Sequence, residues 1–258
     1  MASSAFLLNP AGGLPTPNPS VGIEPGPSDA RTPSLAVDAT GLLHVVRSDD
    51  LSGERGIYYT RSSNDGQAWT SGIRIDAPGT PAFFPRIAVE REPVGIRGRL
   101  YVVYQTGSPA NVWFVVSDGG GSWFAPRLVE NGPAGSSAIQ PSVAASDVRV
   151  HAAWSDNRVN PMEYQLFVRS SADGGANWGP EIQLSATGVS NLQSRMDAKG
   201  NTAVVVWRQA TPTGTSILLG RSDACVTRQV APNGQANTVV VLRGLAEVKL
   251  RNRTERGW

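Results

Sequence analysis

The stretch "SADGGANW" at 171–178 combines a serine, an aspartate, two glycines and a tryptophan within eight positions. Two related stretches lie upstream, "SSNDGQAW" at 62–69 and "VSDGGGSW" at 116–123, and their tryptophans stand 54 and then 55 residues apart. An aspartate accepts hydrogen bonds from nearby backbone amides, glycine adopts positive φ, and an indole can fold back over a hairpin. The stretch therefore predicts a structural turn that recurs in three of the four repeats and does no chemistry.

Working outward from these turns, the chain divides into four similar units. Each unit opens with a short strand such as "PRIAVE" (85–90) and continues with a more apolar one such as "TAVVVW" (202–207). A third strand precedes the turn and a fourth follows it. Such units are typical of β-propeller blades, and an apolar second strand indicates blades stacked face to face. The sequence thus predicts an all-β propeller of four-stranded antiparallel blades, with four blades visible, as part of a six-blade ring or as a small closed propeller.

The repeat also sets the predicted organisation of the chain. Residues 1–30 are rich in Pro, Gly and Ser without periodicity, which predicts an arm or linker. The propeller is expected over 31–235, followed by a C-terminal segment, 236–258, that can supply a closing strand and a basic tail. The blades are predicted at about 31–80, 81–135, 136–190 and 191–235.

Composition narrows the classes of function. A count of 23 Lys+Arg against 21 Asp+Glu gives a net charge of +2, which predicts no general attraction to nucleic acid. The single cysteine excludes an internal disulfide, and no apolar run has the length of a membrane span. His44 and His151 occupy positions held by Tyr101 and Val204 in other units, so they are interpreted as core residues. The sequence predicts neither a metal site nor a cofactor.

The three turns resemble the Asp-box, or bacterial neuraminidase repeat, with the pattern Ser-x-Asp-x-Gly-x-x-Trp, and the chain is similar to sialidase-like β-propellers over roughly 31–230. Residues 171–178 match all fixed positions, whereas Asn64 stands in the aspartate position of the first turn and Val116 in the serine position of the second. The resemblance implies an extracellular or periplasmic protein, although no signal peptide is visible. The residues interpreted as structural parts of these turns are Ser62, Asn64, Gly66, Trp69, Asp118, Gly120, Trp123, Ser171, Asp173, Gly175 and Trp178.

The meander predicts which side of the propeller carries a site. Antiparallel strands place the start of strand one and the end of strand two on one face, opposite the Asp-box turns. Charged side chains gather on this face. Those expected to bind a ligand are Arg47, Arg86, Asp156, Arg158 and Arg208.

The resemblance to sialidases also implies catalytic roles. In that family an Arg-x-Pro segment supplies one of three arginines that grip the sialic acid carboxylate, and Arg31 in "RTP" matches that arginine. An aspartate after strand two acts as general acid in sialidases, which makes Asp49 or Asp50 the candidate. The family's nucleophile is a tyrosine, and Tyr164 is the candidate, although its neighbour Glu163 is expected to point to the opposite face.

The same residues also have structural interpretations. Arg31 can lie on the surface, and Arg47 can pack its stem between blades. The segments "SDD" at 48–50 and "SDN" at 155–157 are good turn sequences in their own right.

The number of blades bears on the expected function. Sialidases close a ring of six blades, and the residues after the fourth unit are too few for two more. The sequence therefore favours a sialidase-like propeller that recognises a glycan or protein surface without complete catalytic machinery. The alternatives are an exo-sialidase or related glycoside hydrolase and a protein-interaction scaffold or assembly factor. The sequence does not determine the oligomeric state.

Overall fold

The computed structural model describes residues 5–6, 17–18, 22–23, 28–90, 98–200, 202–222, 241–242 and 245–249. All regular structure within these ranges is β. Four antiparallel sheets follow one another along the chain, which confirms the predicted propeller of four-stranded blades. Near the N-terminus, β1 (Ala5–Phe6) and β2 (Pro17–Asn18) form a separate two-stranded ladder.

Each of the first three blades is a meander in which consecutive strands pair. The first blade contains β3 (Arg31–Val37), β4 (Leu43–Asp49), β5 (Gly56–Ser62) and β6 (Ile73–Arg74). The second contains β7 (Ala82–Val89), β8 (Arg99–Thr106), β9 (Asn111–Asp118) and β10 (Arg127–Leu128). The third contains β11 (Ala138–Ser146), β12 (Arg149–Asn160), β13 (Glu163–Ser171) and β14 (Ile182–Gln183).

The fourth blade is a five-stranded sheet that combines three consecutive strands with two from the C-terminal segment. Its consecutive strands are β15 (Ser190–Lys199), β16 (Thr202–Thr211) and β17 (Gly214–Arg221). The backbone of β19 (Leu245–Lys249) pairs with β17, and β18 (Val241–Leu242) lies outside it. In the described ranges, this segment therefore extends its own blade and makes no pairing with the first blade.

The hydrophobic core lies between blades rather than within one. One cluster joins the first two blades, a second joins the middle two, and a third joins the last two. Trp154 and Trp207, from the second strands of blades three and four, are almost fully buried. Burial of both faces explains why the second strand is apolar at nearly every position.

The four blades form an open arc. The inner strands pack in sequence, β3 on β7, β7 on β11 and β11 on β15, whereas the described strands show no comparable packing of the fourth blade on the first. The fourth blade accordingly leaves one face partly exposed, with Val204 and Val206 half-buried and Ile217 47% exposed. In the described residues a closed four-blade ring is therefore absent.

The first and third Asp-box turns share one hydrogen-bond pattern. In the third turn, Ser171 Oγ donates to Asp173 Oδ1 at 2.7 Å and accepts from the amide of Gly175 at 2.8 Å. In the first turn, Ser62 Oγ makes the same two bonds to Asn64 and Gly66, at 2.9 and 3.0 Å. An asparagine oxygen thus replaces the carboxylate without loss of the turn.

In the second turn the serine stands one residue later than the sequence pattern suggests, which makes this turn one residue shorter between serine and tryptophan. Ser117, rather than Val116, accepts the amide of Gly120 at 2.9 Å, so Ser117 fills the serine role. Asp118 points to a different partner and forms an ion pair with Arg99 at 2.7 Å. The turn still brings Trp123 beside Ser117 through an isolated backbone bridge.

Candidate functional site

The strand register brings the start of the first strand and the end of the second strand together, as the sequence predicts. Arg31 at the start of β3 lies opposite Ser48 near the end of β4, and Ala138 at the start of β11 lies opposite Asp156 in β12. The Asp-box turns follow the third strands and therefore lie at the other end of each blade. Strand-one starts and strand-two ends share one face.

The inner strand of every blade carries the same backbone irregularity on this face. The pairing register shifts by one residue in all four inner strands, which is the signature of a β-bulge. At each shift a residue other than glycine has a positive φ. These residues, with their φ angles, are Thr32 (48°), Phe84 (52°), Gln140 (52°) and Gln193 (57°).

Positive φ is costly for these residue types. A left-handed backbone costs roughly 1–2 kcal/mol for residues other than Gly, Asn or Asp. Three of the four residues also precede a proline, and a residue before proline normally adopts an extended backbone. Strained residues of this kind persist where the surrounding structure holds them, and they cluster at binding sites.

Side-chain amides hold two of these bulges. The amide of Gln140 donates to Gln105 Oε1 at 2.8 Å, and the amide of Gln193 donates to Gln140 Oε1 at 2.9 Å. The bonds run from blade two to blade three and from blade three to blade four. The first bond ties the end of β8 to the start of β11, and the second ties the start of β11 to the start of β15. We call the opening at the starts of the inner strands the mouth and define it by Thr32, Phe84, Gln140 and Gln193.

The side chains at the mouth are uncharged and of types that can contact a ligand. Phe84 is 37% exposed, Gln193 is exposed, and Gln140 and Thr32 are half-buried. An aromatic ring can pack on an apolar face of a ligand, while amide and hydroxyl groups both donate and accept hydrogen bonds. Below the mouth, the inner strands of all four blades line a cavity of about 300 Å³.

The residues proposed from the sialidase resemblance do not gather at one point. Arg31 is exposed and forms an ion pair with Asp29 at 2.7 Å. Asp29 also pairs with Arg55 at 2.5 Å, and its amide donates to Asp50 Oδ1 at 2.9 Å. The hydrogen bond from Arg31 lowers the pKa of Asp29, although burial opposes the shift. Arg31 and Asp50 therefore belong to a surface cluster centred on Asp29.

Asp49 lies underneath this surface with Arg47. The Asp49 side chain is inaccessible to solvent, and its Oδ2 accepts a bond from Arg47 Nε at 2.9 Å. Arg47 is 4% exposed, and its guanidinium lies 5.7 Å from the centroid of Tyr58. Residues two apart in a strand share a face, so Arg47 and Asp49 lie on the same face of the first blade. Arg47 is buried, but its contacts with Asp49 and Tyr58 are both within its own blade.

Asp156 and Arg158 form a similar pair in the third blade. Arg158 Nη2 lies 2.6 Å from Asp156 Oδ2, its Nη1 bonds Glu181, and its guanidinium lies 4.4 Å from the centroid of Phe167. Glu130 lies 3.6 Å away. Burial works against the charge, but the bond and charge of Asp156 raise the pKa of Arg158. The Arg158 guanidinium therefore forms ion pairs with three carboxylates.

The remaining candidates lie apart from these clusters. Tyr164 is half-buried at the start of β13, while Glu163 Oε2 accepts the amide of Gly188 at 3.0 Å. The structure shows no hydrogen bond between Tyr164 and Glu163 in the described part of the chain. Arg208 is half-buried on the partly open face of the fourth blade, whereas Arg86 lines the cavity below the mouth.

His44 takes the core position expected of it, whereas His151 is only half-buried. His44 is fully buried, and its Nδ1 lies 2.8 Å from the Tyr59 hydroxyl; burial lowers its pKa. His151 bonds Ser170 through Nδ1 at 2.8 Å, and burial lowers its pKa to about 4. The described residues include no group of three or more His, Cys, Asp or Glu side chains placed to hold a metal. No described helix is long and apolar enough to cross a membrane.

Sequence reasoning placed the strand-one starts and strand-two ends on one face, but it missed the mouth residues. The dipeptides Thr-Pro, Phe-Pro and Gln-Pro at 32–33, 84–85 and 140–141 were a readable signal, because proline restricts the residue before it. The bulge itself depends on pairing with the second strand. That pairing is a tertiary property.

Comparisons with known proteins support the fold. No family model and no curated protein matches the chain. An α-L-arabinanase of Penicillium chrysogenum complexed with arabinobiose is 16% identical with a TM-score of 0.55, covering 81% of this chain and 69% of that one. A Dyadobacter fermentans protein of unknown function is 18% identical with a TM-score of 0.57, covering 81% and 65%. An ulvan polysaccharide lyase is 11% identical with a TM-score of 0.55, covering 73% and 55%.

These similarities are to enzymes and to a protein of unknown function, all at low identity. At this level the likeness shows a shared fold and does not transfer an activity. The similar structures also do not single out the sialidase family. The chain is therefore established as a β-propeller.

Proposed function

We propose that this protein is a glycan-recognising propeller that binds a neutral face of an oligosaccharide at the mouth. The observation that carries the proposal is the set of four strained bulge residues, one from each blade, around a single opening. They present a phenyl ring, two amides and a hydroxyl, which suit the apolar faces and hydroxyl groups of sugars. Strain held in all four blades indicates that backbone position matters there.

We also propose that this protein lacks a complete set of sialidase catalytic residues. Asp49 is buried beneath Arg47 and is therefore inaccessible to a substrate, while the exposed Arg31 already pairs with Asp29. Tyr164 lacks a hydrogen bond to Glu163 in the described structure. These placements favour recognition without sialoside hydrolysis over an exo-sialidase.

The solved structures supply the first ligands to try. The arabinanase of Penicillium chrysogenum is complexed with arabinobiose, and the α-L-arabinofuranosidase of Fusarium graminearum is also described with arabinobiose. Arabino-oligosaccharides are therefore the first probes, followed by a broader glycan array.

The test compares two exposed phenylalanines on opposite faces. Phe84 lies at the mouth, and Phe124, 50% exposed, follows the second Asp-box turn. Calorimetric titration should show that Phe84→Ala weakens glycan binding at least tenfold, whereas Phe124→Ala leaves it unchanged. Equal affinity of the two variants would contradict the mouth as the site. Turnover of a fluorogenic sialoside by the wild-type protein would instead favour the exo-sialidase alternative.

A further inference from the structure

One layer beneath the mouth, the four inner strands form a ring of hydrogen-bond donors. Two residues after each left-handed residue, the blades contribute in order Ser34, Arg86, Ser142 and Arg195. All four side chains line the cavity of about 300 Å³. The rest of its lining is uncharged, namely Pro33, Ile87, Val143 and Met196. Hydroxyl and guanidinium groups therefore alternate around this cavity without a carboxylate.

The two arginines adopt the same pose in blades two and four. Arg86 Nη1 donates to the carbonyl of Pro85 at 2.8 Å, and Arg195 Nη1 donates to the carbonyl of Ser194 at 2.7 Å. The buried Nε of Arg86 has no hydrogen-bond partner. Within the described chain neither guanidinium forms an ion pair, in contrast to Arg158 with its three carboxylates.

The two like charges act on each other. Burial and the positive charge of Arg195 lower the pKa of Arg86. Two cations that share a cavity without a counter-charge lower the stability of the folded protein. An anion between them would reverse this effect.

The serines complete the donor set. Ser34 Oγ accepts the amide of Ile87 at 3.3 Å and keeps its hydrogen available. Ser142 Oγ lies 2.9 Å from Ser194 Oγ, so one hydroxyl of that pair can donate elsewhere. Arginine presents several donors in a planar fork that matches carboxylate, sulfate and phosphate oxygens.

We propose that Ser34, Arg86, Ser142 and Arg195 form an oxyanion-binding site that takes a carboxylate or sulfate group, carried on a sugar unit or as a free inorganic ion. The site stands independently of glycan binding at the mouth, since its donors belong to the layer below. The next layer down contains Ala36, Ala88 and Ala144 in three blades and Asp197 in the fourth. The single carboxylate at that depth confines an anion to the upper ring.

The test is calorimetric titration of the full chain with sodium sulfate at constant ionic strength. We expect saturable binding that weakens at least tenfold in Arg86→Gln and in Arg195→Gln. The matched control is Arg149→Gln, because Arg149 is an exposed arginine at the opposite end of its blade and its loss changes the net charge equally. Sulfate also stabilises proteins non-specifically, so the comparison with this control carries the conclusion.

Thermal unfolding without sulfate provides an independent readout. Arg195→Gln should melt at the same or a higher temperature than wild type, because it removes a repulsion, yet it should lose the sulfate-dependent rise. Arg195 is exposed, so its substitution leaves no internal cavity. The Arg195→Gln variant therefore still tests the proposed anion site if Arg86→Gln does not fold.

Two further arms separate the sources of the oxyanion. Competition with sulfate by glucuronate but not by glucose would assign the site to an acidic sugar, whereas sulfate binding without competition would assign it to a free ion. Absence of saturable binding of either anion, or wild-type affinity in Arg195→Gln, would overturn the proposal. Neither result would affect arabino-oligosaccharide binding at the mouth, which is measured separately.

Discussion

The indole of Trp178 meets the phenyl ring of Phe114 edge-on, with 5.2 Å between the ring centroids and 85° between the planes. Trp178 closes the third Asp-box turn, while Phe114 belongs to β9 of the preceding blade. Tyr59 and Trp123 repeat the contact one blade earlier, at 5.0 Å. The Asp-box tryptophan therefore fastens its turn to the neighbouring blade as well as covering its own hairpin.

Trp178→Ala should lower the free energy of unfolding by about 2–4 kcal/mol, because it removes a partly buried ring and its aromatic contact. Trp69→Ala is the matched control. Trp69 belongs to the first blade and makes no ring-to-ring contact within the described residues, so its loss should cost less. Urea denaturation measures both values. An equal loss in the two variants would contradict the role between blades.

The strain at the mouth can be measured at Gln193, whose φ is 57°. Gln193→Gly should be more stable than Gln193→Ala by about 1 kcal/mol, since glycine adopts positive φ without a Cβ clash. Both variants lack the amide side chain, so the comparison isolates the backbone. Chemical denaturation supplies the difference. Equal stability would show that the bulge is not strained.

The buried pair of Arg47 and Asp49 is expected to stabilise the first blade. Asp49→Asn should lower the free energy of unfolding by about 2–4 kcal/mol, because it weakens the compensation of a buried guanidinium. A catalytic acid would show the opposite profile, with loss of turnover and little change in stability. The unfolding midpoint distinguishes the two roles.

Acid should destabilise the protein through His151. In the unfolded chain its pKa is about 6.5, and in the fold it is about 4, so the unfolded state binds more protons between these values. Stability is therefore fully present above pH 6.5 and falls as pH drops toward 4. The loss should be about 1–2 kcal/mol, because the ring is only partly buried.

The test of this pH dependence uses a residue that the repeat itself supplies. His151→Val introduces the residue found at the equivalent Val204. Melting temperatures between pH 7 and pH 4 should fall less steeply in this variant than in wild type. Parallel curves would exclude His151 as a source of the acid sensitivity.

The sequence by itself determined the fold and the sidedness of the molecule. Turn residues recur at a fixed interval, and the period of hydrophobic residues is local, so the blades and the face opposite the Asp-box turns follow from pattern alone. The turn chemistry of Asp173 is likewise local, since its Oδ1 accepts the backbone amide of Asn177, four residues on, at 2.8 Å.

Tertiary structure decided which side chains remain free to act. A charged residue predicted to lie on a given face can be paired with a residue of opposite charge in the folded protein. Arg31, Arg47 and Arg158 all form ion pairs with neighbouring carboxylates. Arg195 drew no attention in the sequence, yet the arc of blades brings it to the same cavity as Arg86. The pairs Arg31–Asp29, Arg47–Asp49 and Arg158–Asp156 each join residues only two apart in the chain. The cavity that Arg86 and Arg195 share depends instead on contacts between strands far apart in the chain, and such contacts form only when the blades assemble.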